Sequence, residues 1–368
     1  MPTVCLVLMV KNESRIIKRC LKAAYPWADS WLVCDTGSTD GTQDIIREYL
    51  MDIPGELVEV PWVDFGHNRS QVVKLAKGKA DYLLLLDADL GIDIPEATTP
   101  ANYEAAVRAV KESLTADAYE LRYSGGLDYV NTRLVSTKFD WRYVGVTHEY
   151  ITSDTARVYA ELPDVRLVDF ADGGNRSDKF LRDVQLLSRA VAENPSDTRS
   201  TFYLAQSFKD LAQYPAAAYW YGWRAAMVLG FDEERWYAMY QQGRMALLGG
   251  EPWEKCRSLF LKAYEYRPTR IEPIYEIVKH YREAGNDALA FTYASVWGHG
   301  FAYPRQDRLF IDTNIYRHLM PYEFAFAALK VRKLRLAEEW LARLTRDSLD
   351  TPWMRPWIET LKAMASPV

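Results

Sequence analysis

The sequence predicts an α/β domain with a mostly parallel sheet followed by an all-α helical-repeat domain, on three observations. Short apolar runs at 4–10, 31–34 and 82–86 alternate with helical spacing over the first 90 residues, as in a doubly wound sheet. The polar residues that end those runs fall at the carboxyl edge of such a sheet, where ligands bind. After residue 175 strand signals stop, and amphipathic stretches rich in Ala and aromatic residues run to the C-terminus.

Taken in order, Val4–Val10 reads as a strand buried on both faces and ends at Lys11-Asn12-Glu13-Ser14. Ser14 is placed as the cap of a helix with an apolar stripe of Ile16, Ile17, Cys20 and Leu21, closed by Pro26. Residues 31–34 form a second strand that enters the polar turn 35–42; a helix at about 43–50 and a strand at 57–61 follow. Residues 68–76 are helical, and the strand 82–86 runs into Asp87-Ala88-Asp89. Alternation at Tyr119, Leu121 and Tyr123 and again over 129–135 predicts later strands, antiparallel in part, before strands at 143–151 and 165–170. The domains are set at 1–175 and 176–368. In the second, units 194–230, 231–268 and 269–300 share a helix, turn, helix rhythm near the roughly 34-residue period of tetratricopeptide repeats. Eight of the twelve tryptophans lie there, and packing between helices is the expectation for most of them.

Composition narrows the function. With 368 residues, 49% hydrophobic and 26% charged, the chain can bury a substantial core, which excludes wholesale disorder. A net charge of -5 supplies no overall basic field, so nucleic acid is not expected as a partner. Cys5, Cys20, Cys34 and Cys256 lie too far apart in sequence for the close pairs of zinc sites or redox dithiols, and fit a reduced compartment. No run reaches the roughly 18 apolar residues of a membrane span, and the first residues lack the pattern of a secretion signal, so a cytoplasmic location is expected.

The chemistry concentrates at strand ends. Asp87 and Asp89 are hard oxygen donors suited to Mg²⁺ or Mn²⁺ bound together with a diphosphate, and a second acidic cluster, Asp35 to Asp40, ends another strand. Residues 5–14, the run Cys34-Asp35-Thr36-Gly37-Ser38-Thr39-Asp40-Gly41-Thr42 and residues 83–89 together resemble the N-terminal signature of family 2 glycosyltransferases. The resemblance implies a GT-A fold that binds a nucleotide-diphosphate sugar, with UDP the default nucleotide. It implies that Asp35 contacts the base or ribose and that Val10, Asn12 and Glu13 line the same pocket. It also brings Asn68 and Arg69, in Phe65-Gly66-His67-Asn68-Arg69, near the donor. Asp87 and Ala88 would meet the nucleotide, and Asp87 and Asp89 a Mn²⁺ or Mg²⁺ ion.

The segment Trp141-Arg142-Tyr143-Val144-Gly145-Val146-Thr147-His148-Glu149 also matches similar transferases, which implies His148 as a further metal ligand. Glu149 is the expected catalytic base, or else a structural partner of Arg142 or Arg133, with Asp140 and Asp172 in reserve. Family 2 enzymes invert, which implies one in-line displacement at the anomeric carbon. Residues 172–179 either close over the diphosphate with Arg176 and Lys179 or form a linker ending in a helix cap at Ser177. The repeats would position an acceptor protein or glycan, or support the catalytic domain and a homo-oligomer; support is the plainer reading. A nucleotidyltransferase should show a Gly-rich phosphate turn after its first strand, and Val10-Lys11-Asn12-Glu13 is not one. The alternative to an enzyme is a catalytically silent nucleotide-sugar scaffold whose repeats bind a protein partner.

Overall fold

The computed structural model describes residues 1–124, 130–170, 172, 179–295 and 303–365. The described chain forms two compact units, Met1–Leu186 and Leu187–Val368. The boundary expected near residue 175 lies outside the described residues, as do Arg176 and Ser177.

The first unit runs β1 (Val4–Val10), α1 (Ile17–Ala24), β2 (Ser30–Asp35), α2 (Thr42–Tyr49), β3 (Gly55–Glu59), α3 (Phe65–Ala76), β4 (Tyr82–Leu86), β5 (Leu90–Asp93), α4 (Pro100–Ser113), β6 (Ala118–Ser124), β7 (Val130–Ser136), β8 (Arg142–Val144), β9 (Tyr150–Thr152), β10 (Tyr159–Asp169) and α5 (Lys179–Glu193), which continues past Leu186. Eight strands form one sheet in the order β3-β2-β1-β4-β7-β6-β10-β5, and β8 and β9 pair separately. Pairings β2 with β3, β1 with β2, β1 with β4 and β6 with β10 are parallel; β4 with β7, β6 with β7 and β5 with β10 are antiparallel. The sheet is therefore parallel where the strand-helix alternation was read and mixed beyond it.

The apolar character of β1 follows from its place between β2 and β4: alternate side chains enter the core on either face, Leu6 and Leu8 on one and Cys5 and Val7 on the other. Ser14 does not cap α1. Its amide donates to Asp40 at 3.0 Å, while the Glu13 carbonyl accepts from Ile16 and Ile17, so the helix begins later. α3 begins earlier than its apolar spacing suggests, because Asp64 caps it by accepting from the His67 amide at 2.7 Å. The strand expected over 143–151 is broken into β8 and β9 by Gly145, with φ 105°, and His148, with φ 51°.

The second unit is α-helical among its described residues. The pairs α6 (Thr198–Asp210) with α7 (Tyr214–Ala226), α8 (Asp232–Leu248) with α9 (Trp253–Tyr266), and α10 (Glu272–Glu283) with α11 (Asp287–Ser295) fill the three expected repeat units. A π-helical turn, Ile315–Leu319, then leads into α12 (Met320–Lys330), followed by α13 (Leu334–Asp347) and α14 (Arg355–Ala365). Successive helices pack on one another, as in tetratricopeptide-like stacks. Arg270 is fully buried over the Trp236 ring, 3.9 Å from its centroid, and its Nε donates to Glu272 at 2.9 Å. Trp236 and Trp340 are core residues as expected, but Trp223, Trp353 and Trp357 are exposed and Trp220 and Trp253 half-buried. Trp297 lies outside the described residues.

Candidate active site

A cavity of about 390 Å³ opens at the carboxyl ends of β1, β2 and β4. That volume suits a small ligand. Val10, Lys11 and Glu13 come from the end of β1, Thr36 from the end of β2, and Asp87, Ala88 and Asp89 from the end of β4. Phe65 and Arg69 enter from α3, Trp62 from the loop before it, and Lys179 and Arg182 from α5.

Hydrogen bonds from backbone amides to side-chain oxygens tie the loops after β1 and β2 together. Asn12 takes a left-handed backbone, φ 56°; its amide donates to Ser38 Oγ at 2.9 Å and its Oδ1 accepts from the Thr39 amide at 2.8 Å. Thr42 Oγ1 accepts from the Glu13 amide at 2.8 Å. Burial raises the Asp40 carboxyl, but hydrogen bonds from Thr42 and Ser14 outweigh it and hold the group at about 2. Asp35 is fully buried, with Oδ1 accepting from the Gly37 and Ser38 amides at 2.9 and 2.8 Å. Its Oδ2 is buried without a hydrogen-bond partner among the described residues, which leaves one strong acceptor position unused.

Asp87 is the centre of a chain of charges. Arg69 Nη2 donates to its Oδ1 and Arg133 Nη1 to its Oδ2, the latter at 3.1 Å. Arg69 Nε in turn lies 2.7 Å from Glu149 Oε1 as an ion pair, and Arg133 Nη2 donates to Tyr123 Oη at 2.8 Å. Burial by itself would raise the Asp87 carboxyl; the two guanidinium groups overcome it and carry the group well below the usual carboxylate range. Two cations and two anions thus balance in the order Arg133, Asp87, Arg69, Glu149. The chain closes because α3 approaches residues 145–149 closely: a Cβ on Gly66 would lie 2.1 Å from the Gly145 carbonyl oxygen.

Of the residues singled out from sequence, Val10, Glu13, Arg69, Asp87, Ala88, Asp89 and Lys179 line the cavity together. Asn12 and Asp35 shape the adjoining loops. Asn68 is buried, and its side chain accepts from the Val63 amide and donates to the Pro61 carbonyl, each at 2.9 Å, so it fixes the loop that carries Trp62. His148 Nε2 lies 3.9 Å from Oδ2 of Asp183, a buried carboxylate whose Oδ1 accepts from Thr147 Oγ1 at 3.1 Å. Asp140 pairs with Lys77 at the surface, and Asp172 pairs with Arg19 at 2.6 Å. Trp62, Arg133, Arg182 and Asp183 were not assigned to the site from sequence. No local spacing marks them: Trp62 is a loop residue before α3, and Arg133, Arg182 and Asp183 lie far along the chain from the strand ends.

The donor set defines how a divalent ion could be held. Among the described residues no three His, Cys, Asp or Glu side chains converge as a metal site. Both Asp87 oxygens, expected at a metal, are engaged by Arg69 and Arg133 instead. What fits is the mode in which one carboxylate, Asp89, shares the ion with substrate phosphate and water.

Known proteins resemble this chain in sequence over β1 to β5. Residues 5–95 match Glycosyl transferase family 2. A TPR repeat-containing protein of Synechococcus elongatus is 28% identical over 225 residues, 60% of this chain and 50% of that protein. The prophage-derived glycosyltransferase SunS of Bacillus subtilis is 33% identical over 89 residues, 24% of this chain and 20% of that protein. The chain thus spans half the length of the first relative and a fifth of the second. Among solved structures, the C-terminal part of a TPR repeat-containing protein from Cytophaga hutchinsonii overlaps 51% of this chain and 67% of its own at 14% identity, with a TM-score of 0.38. TarS of S. aureus, residues 1–349 in complex with UDP-GlcNAc, overlaps 82% of this chain and 93% of its own at 13% identity, with a TM-score of 0.36. No helix among the described residues is long and apolar enough to cross a membrane. The strand ends that form the cavity up to Asp89 all fall within residues 5–95, so the similarity to Glycosyl transferase family 2 covers the part of the first unit that builds the cavity, and a tetratricopeptide-like helical unit follows it in sequence.

Proposed function

We propose that this chain transfers a sugar, with inversion, from a nucleotide-diphosphate sugar to an acceptor hydroxyl on a protein or glycan, and that UDP is the nucleotide. The observation that supports this reading most is the cavity at which β1, β2 and β4 all end, with Asp89 in its wall beside the balanced Asp87. Asp35 Oδ2 is the acceptor for an N–H of the base or a hydroxyl of the ribose, next to Val10 and Thr36. Asp89 is the residue that would hold Mn²⁺ or Mg²⁺ with the diphosphate, and His148, expected as a further ligand, faces Asp183 instead; the chemistry such an ion would supply is neutralisation of the leaving charge. Glu149 takes the acceptor proton, and Arg69 holds its carboxylate in place. The helical unit supports the catalytic domain or presents the acceptor.

The test is the melting temperature with UDP, GDP and dTDP, each with and without Mn²⁺, since a ligand selective for the native state must raise it. A rise with UDP that is larger with Mn²⁺ and lost in Asp89→Asn is expected. No rise with any nucleotide would sink the reading.

A further inference from the structure

We infer that Arg182 grips the diphosphate of the donor and neutralises it as it departs. This deepens the nucleotide-sugar reading above and rests on it. Among the described residues four cations line the cavity: Lys11, Arg69, Lys179 and Arg182. Arg69 is already matched by Asp87 and Glu149, and Lys11 and Lys179 carry exposed, strongly hydrated ammonium groups. Arg182 differs from all three. It is half-buried, no carboxylate lies within ion-pair distance of it among the described residues, and its Nε is buried without a hydrogen-bond partner.

An aromatic wall lies beside this guanidinium. Its Cζ lies 5.2 Å from the centroid of the Phe65 ring, and Phe65 packs edge-on against Trp62 with centroids 4.8 Å apart. A planar fork held on a ring face, with no carboxylate to answer it among the described residues, suits a bidentate grip on phosphate. In the transfer, the bond from the anomeric carbon to the β-phosphate oxygen breaks with its electron pair on that oxygen. The acceptor oxygen forms the new bond, and its proton passes to the base. The diphosphate therefore leaves with one more negative charge than it carried in the donor, and a cation already in place at that oxygen favours the transition state over the ground state.

Titration calorimetry of the full chain with UDP and with uridine tests the assignment, using the wild type, Arg182→Ala and Arg182→Lys. Arg182→Ala is expected to bind UDP about tenfold to a hundredfold more weakly and uridine as the wild type does, because only the charged hydrogen bonds to phosphate are lost. Arg182→Lys should recover part of the loss, since it keeps the charge without the fork. Equal UDP affinity in the wild type and Arg182→Ala would overturn the role of Arg182 and leave the nucleotide reading intact. So would a loss shared equally by UDP and uridine, which would mean that the residue only shapes the cavity. A wild-type chain that binds none of UDP, GDP or dTDP would overturn both.

Discussion

Asp87 separates what a carboxylate does by its type from what it does by its neighbours. At the end of a buried strand beside Asp89 it reads as half of a metal pair, yet it serves as the anion between two guanidinium groups. Replacing it by Asn leaves Arg69 and Arg133 short of a counter-charge and should cost on the order of 2 to 4 kcal/mol of stability at pH 7. The pH dependence has a definite sign. Because the folded carboxyl titrates below the unfolded value of about 3.9, its contribution is complete above about pH 4 and is lost as the pH falls further. Urea unfolding of the wild type and Asp87→Asn should therefore show a gap that narrows below pH 4; a gap that does not change with pH would refute the ion-pair account. Asp87 and Asp89 were legible in sequence because a strand end presents them together. Arg133 and Arg182 were not, since sheet pairing and helix packing bring them to the cavity from far along the chain.

Elements were legible to the extent that their burial was one-sided in pattern or complete. β1, β2 and β4 are almost wholly buried and gave continuous apolar runs. α4 buries only Val107 and Lys111, and β5 has four residues, so neither left a usable period. The break between β8 and β9 was hidden because a left-handed backbone at His148 has no spacing signature. The contact of α3 with this break yields a prediction about the element rather than a side chain. Gly66→Ala must push the first turn of α3 away from the Gly145 carbonyl, and with it Arg69 away from Glu149. A loss of about 1 to 3 kcal/mol in urea unfolding is expected, together with weaker UDP binding. Gly78→Ala, at a left-handed turn with nothing within 4 Å of its added Cβ, is the control: it should destabilise through its backbone and leave UDP affinity unchanged.

For the molecule as a whole, the four thiols report on the two units separately. Cys5, Cys20 and Cys34 are buried in the first and Cys256 in the second, all unbridged. Burial and the neighbouring Asp35 push the Cys34 thiol up to about 11, and burial, with Asp87 and Asp89 nearby, raises Cys20 further. At pH 8 none should react with a disulfide reagent until its unit opens, and all four should react in urea. With UDP at a hundred times its Kd, labelling of Cys5, Cys20 and Cys34 should slow about a hundredfold while that of Cys256 keeps its rate; equal slowing would show that the units open together. The existence of two units was legible from the change in periodicity, whereas the edge of the sheet was not. That edge has a consequence for synthesis on the ribosome. β5, which follows Asp89, pairs among the described residues with no strand but β10, and the Phe170 amide donates to the Asp89 carbonyl at 3.1 Å. A nascent chain that has exposed β1 to β4 can assemble their parallel sheet, but it cannot secure the turn carrying Asp89 until residue 170 has left the exit tunnel. Asp89 would thus be the last part of the edge to be locked, so a chain stalled short of that point would hold a folded sheet without a finished cavity wall.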